Sequence, residues 1–392
     1  MNSIEAILGS ESIGRLRRTD GIASALPGAA YTSDEFLKLE FEHVFKPSWT
    51  FVGFGHDIPF AGDTTLATVA GVPLILVRTA NGQVNAFHNV CRHRGLKLVS
   101  EPSRGKQHFV CPNHGWTYDL DGCLINTPHF GGHRQSSIEG FNIHESGLKQ
   151  VRCAEWHHWL LVNLDGKASS IESHLASLKR HLEHYDLDSL VHVKRIFSDE
   201  IEANWKLIIE NYMEPYHVPF VHKATTQGQP LQNHACITDG NCVGSYVRVD
   251  NPIPDSKTDE ISVTEAPNSL DTSAHYLDVF PNFGISTFRD ALISVLMVPL
   301  SPGRTHWQLD LYFYGHIAAE AKVVNNWADL MHRVFLEDKD MIERLQLGRA
   351  SPVTDDGGFL SPVWETCIRH LHLLVIDAIE KGERQQARTM GA

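Results

Sequence analysis

The sequence predicts an α+β protein: a small all-β domain, then a larger domain of antiparallel sheet flanked by helices. Three observations predict it. A Val-, Leu- and Thr-rich stretch is broken by Asn81-Gly82, the strongest two-residue hairpin signal, and by Asp121-Gly122. A helical period follows Gly166, where Ile171, Leu175, Leu178 and Leu182 share one face. Beyond it, helical segments mix with strand-like runs such as RTHWQLDLYFYG. A chain of 392 residues is too long for one ordinary core, and 42% hydrophobic with 21% charged residues is the balance of a globular protein.

Taken in order, residues 1–45 form an N-terminal helical segment expected to pack with the larger domain. Within it a Thr/Ser/Asp cluster at 32–34 caps a stripe of Phe36, Leu37, Leu39, Phe41, Val44 and Phe45. Residues 46–165 are the all-β domain and 166–392 the α+β domain. The polar, proline-bearing run 250–271 reads as a loop bordering a site, and 381–392 as a frayed tail. The N-terminus lacks the basic-then-apolar order of a secretory signal, and the longest apolar runs are too short to span a bilayer. Seven scattered cysteines fit a reducing compartment, so a cytoplasmic location without a membrane partner is expected. A net charge of -13 without a Lys/Arg stripe argues against a nucleic-acid partner.

The chemistry begins in two loops of the all-β domain. Cys91 and His93 form C-x-H in CRHRG, Cys111 and His114 form C-x2-H in CPNHGWTYDLDG, and seventeen residues separate the pairs. A lone cysteine or histidine is ordinarily core; four in two glycine-flanked loops ask for more. Structural zinc takes two thiolates and two imidazoles, usually with both cysteines in one knuckle, whereas here each loop supplies one of each. A Rieske [2Fe–2S] centre binds one iron through two cysteines and the other through two histidines, a division that two such loops would supply. Gly95 and Gly115 permit close backbone approach, and Trp116 can exclude water.

A second cluster lies in NWKLIIENYMEPYHVPFVH, residues 204–222. Trp205, Ile208, Ile209 and Tyr212 form a helical stripe, and Pro215 disturbs the helix just before His217 and His222. With 24 histidines in the chain, a pair five apart carries little by itself; its aromatic and apolar surroundings and the carboxylate of Glu214 give it weight. Two imidazoles are one ligand short of a 2-His-1-carboxylate iron site. In 323–348, Trp327, Leu330, Val334, Met341 and Leu345 line one helix side, and Asp338 falls in that stripe, with Asp340 nearly opposite and Glu337 on the flank.

The two Cys/His loops resemble the Rieske loops of bacterial ring-hydroxylating and demethylating oxygenases. The 204–222 run resembles the mononuclear-iron segment of the same family, where Asp or Glu is followed by His at +3 and at +8, as Glu214, His217 and His222 are. The resemblance implies a Rieske [2Fe–2S] cluster on Cys91, His93, Cys111 and His114, and a mononuclear Fe(II) on His217, His222 and Asp338, the last within an "ED" pair. It further implies a homotrimer in which the cluster of one subunit serves the iron of the next, with Glu214 as the bridging carboxylate. O2 would be activated there and a hydroxyl group inserted into a small organic substrate. No G-x-G-x-x-G follows a strand, and GFGHDI lacks the third glycine, so electrons from NAD(P)H would come through a separate flavin/iron–sulfur reductase.

GGFLSPVWE and FPNFGIS look like the branch acting on choline, glycine betaine, stachydrine and carnitine. The substrate expected is therefore a quaternary ammonium compound held by cation–π attraction, with Tyr246, Phe280, Phe283, Trp307, Tyr312 and Tyr314 as candidate walls. The rivals are an aromatic-ring or aromatic-acid hydroxylase or dioxygenase with the same iron sites, and a non-catalytic Rieske electron carrier or iron sensor.

Overall fold

The computed structural model describes residues 3–19, 21–225, 229–248 and 273–390, and the chain forms two compact units. One is Phe45–Ser169; the other joins Met1–Val44 to Ser170–Ala392. The expected loop at 250–271 lies outside the described residues.

The smaller unit holds strands β1 (Trp49–Phe54), β2 (Thr64–Val69), β3 (Val72–Arg78), β4 (Val84–His88), β5 (Phe109–Val110), β6 (Thr117–Tyr118), β7 (Leu124–Asn126), β8 (Gln150–Trp156) and β9 (Trp159–Asn163). They form a six-stranded antiparallel sheet in the order β1-β9-β8-β4-β3-β2 and a three-stranded sheet β5-β6-β7. The two-residue hairpin is Ala70-Gly71, with φ of 50° and 76° between Val69 and Val72. Asn81-Gly82 and Asp121-Gly122 sit instead in longer loops, each closed by one outer bond (Thr79 N to Gln83 O, 2.8 Å; Asp119 N to Cys123 O, 3.0 Å) with the glycine left-handed. With one extra residue in the loop, the usual solution is a type I turn followed by a left-handed glycine. Ile75, Val77, Phe87, Tyr118 and Leu124 pack into one core with Cys91, Cys111 and Trp116.

In the larger unit, β10 (Leu190–Ile201), β11 (His234–Asp239), β12 (Cys242–Arg248), β13 (Ser273–Val279), β14 (Phe283–Thr287), β15 (Ala291–Ser301) and β16 (Arg304–Tyr314) form one antiparallel sheet ordered β10-β16-β15-β14-β13-β12-β11. Its register aligns Ser245, Tyr276, Ser286 and Ile293 in a row across four strands. Four helices bear on the site: α1 (Trp205–Met213), α2 (Val218–Val221), α3 (Ala321–Arg349) and α4 (Thr366–Met390). The N-terminal cap works as expected, Ser33 Oγ accepting from Phe36 N at 3.2 Å. The tail differs: residues expected to fray continue α4 to Met390, supported by Glu380–Arg384 at 3.3 Å and by Ser3 N donating to Glu383 Oε1 at 2.9 Å. No described helix is long and apolar enough to cross a membrane.

Helix α1 was expected to be striped, yet it is buried on almost every side, polar residues included. Lys206 Nζ donates to Glu40 Oε1 at 2.6 Å with both side chains fully buried, and Trp205 Nε1 donates to Glu40 Oε2 at 3.1 Å. One turn on, Glu210 Oε1 accepts from Tyr31 Oη at 2.7 Å and lies 2.8 Å from His372 Nε2. Buried charges are tolerable only when paired in this way.

Candidate functional site

The two Cys/His loops are built alike. Cys91 N donates to Leu96 O at 2.8 Å and Gly95 N to Cys91 O at 3.0 Å; Cys111 N donates to Trp116 O at 2.8 Å and Gly115 N to Cys111 O at 3.0 Å. Each loop needs its left-handed glycine, Gly95 at φ 76° and Gly115 at φ 69°. The thiols are buried and the imidazoles face outward, with the two Nδ1 atoms 3.1 Å apart. Trp116 stacks on His93 at 4.9 Å, and Tyr118 Oη lies 3.4 Å from Cys91 Sγ while accepting from Arg92 N. Burial, with Cys91 adding to it, pushes the Cys111 thiol pKa up. Two thiols inside, two imidazoles outside and no disulfide is the donor set of a Rieske [2Fe–2S] centre.

At the other centre, α1 ends on Glu214, extended at φ -96° and ψ 142°, because the following Pro215 disfavours the helical region for its predecessor. The chain re-enters a short helix, so His217 and His222 flank α2 and bring their Nε2 atoms to 3.3 Å. Asp338 Oδ1 lies 3.0 Å from His222 Nε2 and 3.7 Å from His217 Nε2, yet it accepts no well-formed hydrogen bond. Three donor atoms thus converge on one point, as a 2-His-1-carboxylate iron requires. Helix α3 buries Ala328, Met331, Phe335 and Ile342, the expected stripe shifted by one residue, a turn of roughly 100° that leaves Leu345 exposed and Asp338 at the edge of the buried side.

A carboxylate also holds the far nitrogen of each imidazole. Glu214 Oε1 is 2.5 Å from His217 Nδ1, and its carboxylate accepts from the backbone N–H of Tyr216 and His217. Glu337 Oε2 is 2.8 Å from His222 Nδ1 and accepts from Thr225 Oγ1 at 2.8 Å. With Nδ1 donating, each ring takes the tautomer that puts its lone pair on Nε2, the tautomer a metal ligand needs. Burial alone would lower the pKa of His222, but Asp338 and Glu337 outweigh it and raise it, the signature of a site with negative charge to spare.

A cleft opens beside these ligands. The row Ser245, Tyr276, Ser286 and Ile293 faces it, as do Val295, Trp307 and Leu309 of the same sheet, Met331 and Phe335 of α3, and Asn211 and Tyr212 of α1. Trp307 and Phe335 meet at 4.3 Å; Tyr212 and Tyr276 meet edge-on at 6.2 Å. Of the six aromatics expected as walls, only Trp307 lines the cleft. Strand alternation explains the misses: Tyr312 and Tyr314 are out of phase with Trp307 on β16, Tyr246 with Ser245 on β12, and Phe283 with Ser286 on β14, while Phe280 lies just beyond β13. Glu337, Thr225, Asn211 and His234 also escaped the sequence reading; only Glu337 carried a signal, as the first member of the "ED" pair.

Known proteins resemble this chain over most of its length. Residues 178–381, just over half the chain, match the family described as ring hydroxylating alpha subunit (catalytic domain), and residues 48–141 match the Rieske [2Fe-2S] domain. Chloroplastic choline monooxygenase of Arabidopsis thaliana is 28% identical over 364 residues, covering 90% of this chain and 82% of its own. The glycine betaine monooxygenase oxygenase subunit of Chromohalobacter salexigens is 37% identical over 209 residues, covering 53% and 45%. The fold is shared with the quaternary ammonium Rieske monooxygenase CntA in complex with L-carnitine, at TM-score 0.75 and 24% identity over 91% of this chain and 96% of that one.

Proposed function

The chain belongs to the ring-hydroxylating alpha-subunit family, and from that membership we propose that it hydroxylates or N-demethylates a small quaternary ammonium compound. It is an oxygenase, the terminal subunit of a multicomponent system that draws electrons from a reductase, and its cofactors are a Rieske cluster and a mononuclear iron. In our reading the Rieske domain spans 46–165 and the catalytic domain 166–392. Cys91, His93, Cys111 and His114 hold the cluster; His217, His222 and Asp338 hold the iron. When bound, these groups supply electrons and open coordination positions for O2.

The protein's own residues do the rest. Glu214 and Glu337 fix the orientation of His217 and His222, and the apolar cleft keeps bulk water from the reacting carbon. The observation that carries the ammonium reading is the cleft wall. Trp307, Phe335, Tyr212 and Tyr276 line it with aromatic rings that suit a cation, and no Lys or Arg among the described residues lines the cleft to pair with an aromatic carboxylate. The choline and glycine betaine enzymes among its relatives point the same way. In a homotrimer, Glu214 would also bridge His217 to a cluster histidine of the neighbouring subunit, and the reductase would be a flavin/iron–sulfur protein drawing on NAD(P)H.

The test is O2-dependent turnover with a surrogate reductase and NADH, comparing a panel of quaternary ammonium compounds with benzoates. Formaldehyde or a hydroxylated ammonium product is expected; turnover of benzoates alone would reject the proposal, and no O2 uptake with any substrate would favour the electron-carrier or sensor reading. Glu214→Gln should retain both metals and lose turnover.

A further inference from the structure

Most polar groups facing the cleft already have partners. Tyr212 Oη is 2.8 Å from Ser286 Oγ, Gln229 and Tyr276 exchange bonds of 2.8 and 3.1 Å, and Thr225 Oγ1 donates to Glu337. Apart from Asp338 Oδ1 of the candidate iron site, three have none among the described residues: Asn211 Oδ1, both ring nitrogens of His234, and Trp307 Nε1. Their residues are 5%, 6% and 2% exposed, so water does not reach them freely, and the Gln229 carbonyl near His234 does not meet hydrogen-bond geometry. Buried polar atoms left open in one cleft are a template for a ligand.

The template has a definite chemistry. Asn211 Oδ1 accepts and Trp307 Nε1–H donates. Burial lowers the His234 pKa to about 4, so its ring is neutral, with one donor and one acceptor. A quaternary ammonium has no N–H and can satisfy none of these; its place is against the aromatic faces. A carboxylate only accepts: it could take the N–H of Trp307 and of His234, but it would leave Asn211 Oδ1 and the bare nitrogen of His234 unanswered, in a cleft that also holds Glu214 and Asp338. A hydroxyl both donates and accepts, and it alone suits His234 on either nitrogen.

We infer that His234, aided by Asn211, forms a hydroxyl-binding subsite, so that the cleft prefers an ammonium alcohol to an ammonium carboxylate. The inference rests on the ammonium reading above and deepens it. No cationic side chain of the described residues lines the cleft to reverse the preference.

The test is anaerobic calorimetric titration of the holoenzyme with four probes: choline, ethyltrimethylammonium, glycine betaine and 3,3-dimethylbutan-1-ol. Wild type should bind choline about tenfold more tightly than ethyltrimethylammonium, the yield of one buried hydrogen bond, and more tightly than glycine betaine. His234→Phe should erase the gap between choline and ethyltrimethylammonium while leaving the latter within about twofold, and His234→Gln, which restores a donor and an acceptor, should recover part of it. Equal binding of choline and ethyltrimethylammonium by wild type overturns the inference even if no variant folds. So does glycine betaine matching choline, or His234→Phe weakening all four probes alike. Dimethylbutanol binding as tightly as choline would instead sink the ammonium reading, while the hydroxyl gap between choline and ethyltrimethylammonium still decides the subsite.

Discussion

Behind each imidazole of the proposed iron site stands a carboxylate, Glu214 for His217 and Glu337 for His222. Removing such a partner typically weakens metal binding by about 10–100-fold, because the ring loses both its tautomer and its aim. Glu337→Ala should therefore lower Fe(II) affinity by roughly that factor while leaving the visible absorption of the cluster intact; unchanged iron retention on dialysis would count against the role. At this scale the convergence of the candidate site residues could be anticipated where they are neighbours or share a helix phase. Glu214, His217 and His222 fall within nine residues, and Asp338 was placed by phase alone. Glu337 was not, because phase tells where a side chain leaves a helix and not how far a long one bends sideways. His234 was one histidine of 24, distinguished only by a burial that depends on the folded sheet.

Among the elements, β13 carries an oddity in Asp278, fully buried with neither carboxylate oxygen hydrogen-bonded by a described group. Burial pushes its pKa up to about 8. Since this lies above the unfolded value of about 3.9, the folded protein holds the proton more tightly. The stability so gained is complete below about pH 4, erodes as pH rises, and is gone above about pH 8, a loss on the order of 5 kcal/mol at most. The melting temperature should accordingly fall between pH 5 and 8.5, and Asp278→Asn should flatten that slope; an identical slope in the variant would mean that Asp278 ionises without penalty. Strands were legible as existing but not in phase. The candidate walls missed because a residue's face depends on register, which pairing across the sheet sets and local composition does not.

For the whole molecule, each compact unit has its own apolar core and its own candidate ligand set, one of sulfur and nitrogen, the other of nitrogen and oxygen. The two metal centres should thus be separately removable. Asp338→Ala should lose one iron per chain and keep the sulfide and the cluster's electron paramagnetic resonance signal; Cys91→Ser should bleach the protein and keep the mononuclear site. Loss of both metals in either variant would contradict this independence. The broad architecture could be read from the chain because period and turn chemistry are local; the cleft's polar lining could not, because it is assembled from five strands and two helices.

The buried Lys206–Glu40 pair has a practical consequence for anyone redesigning this enzyme. An ammonium and a carboxylate sealed from water act as a lug in a keyway: sliding or twisting α1 by a single residue would strand both charges in hydrocarbon. Eleven positions downstream, that keying decides where His217 arrives. Apolar walls of the cleft can be exchanged with α1 left in place, but an insertion or deletion between 206 and 217 should dislodge the iron before it alters specificity.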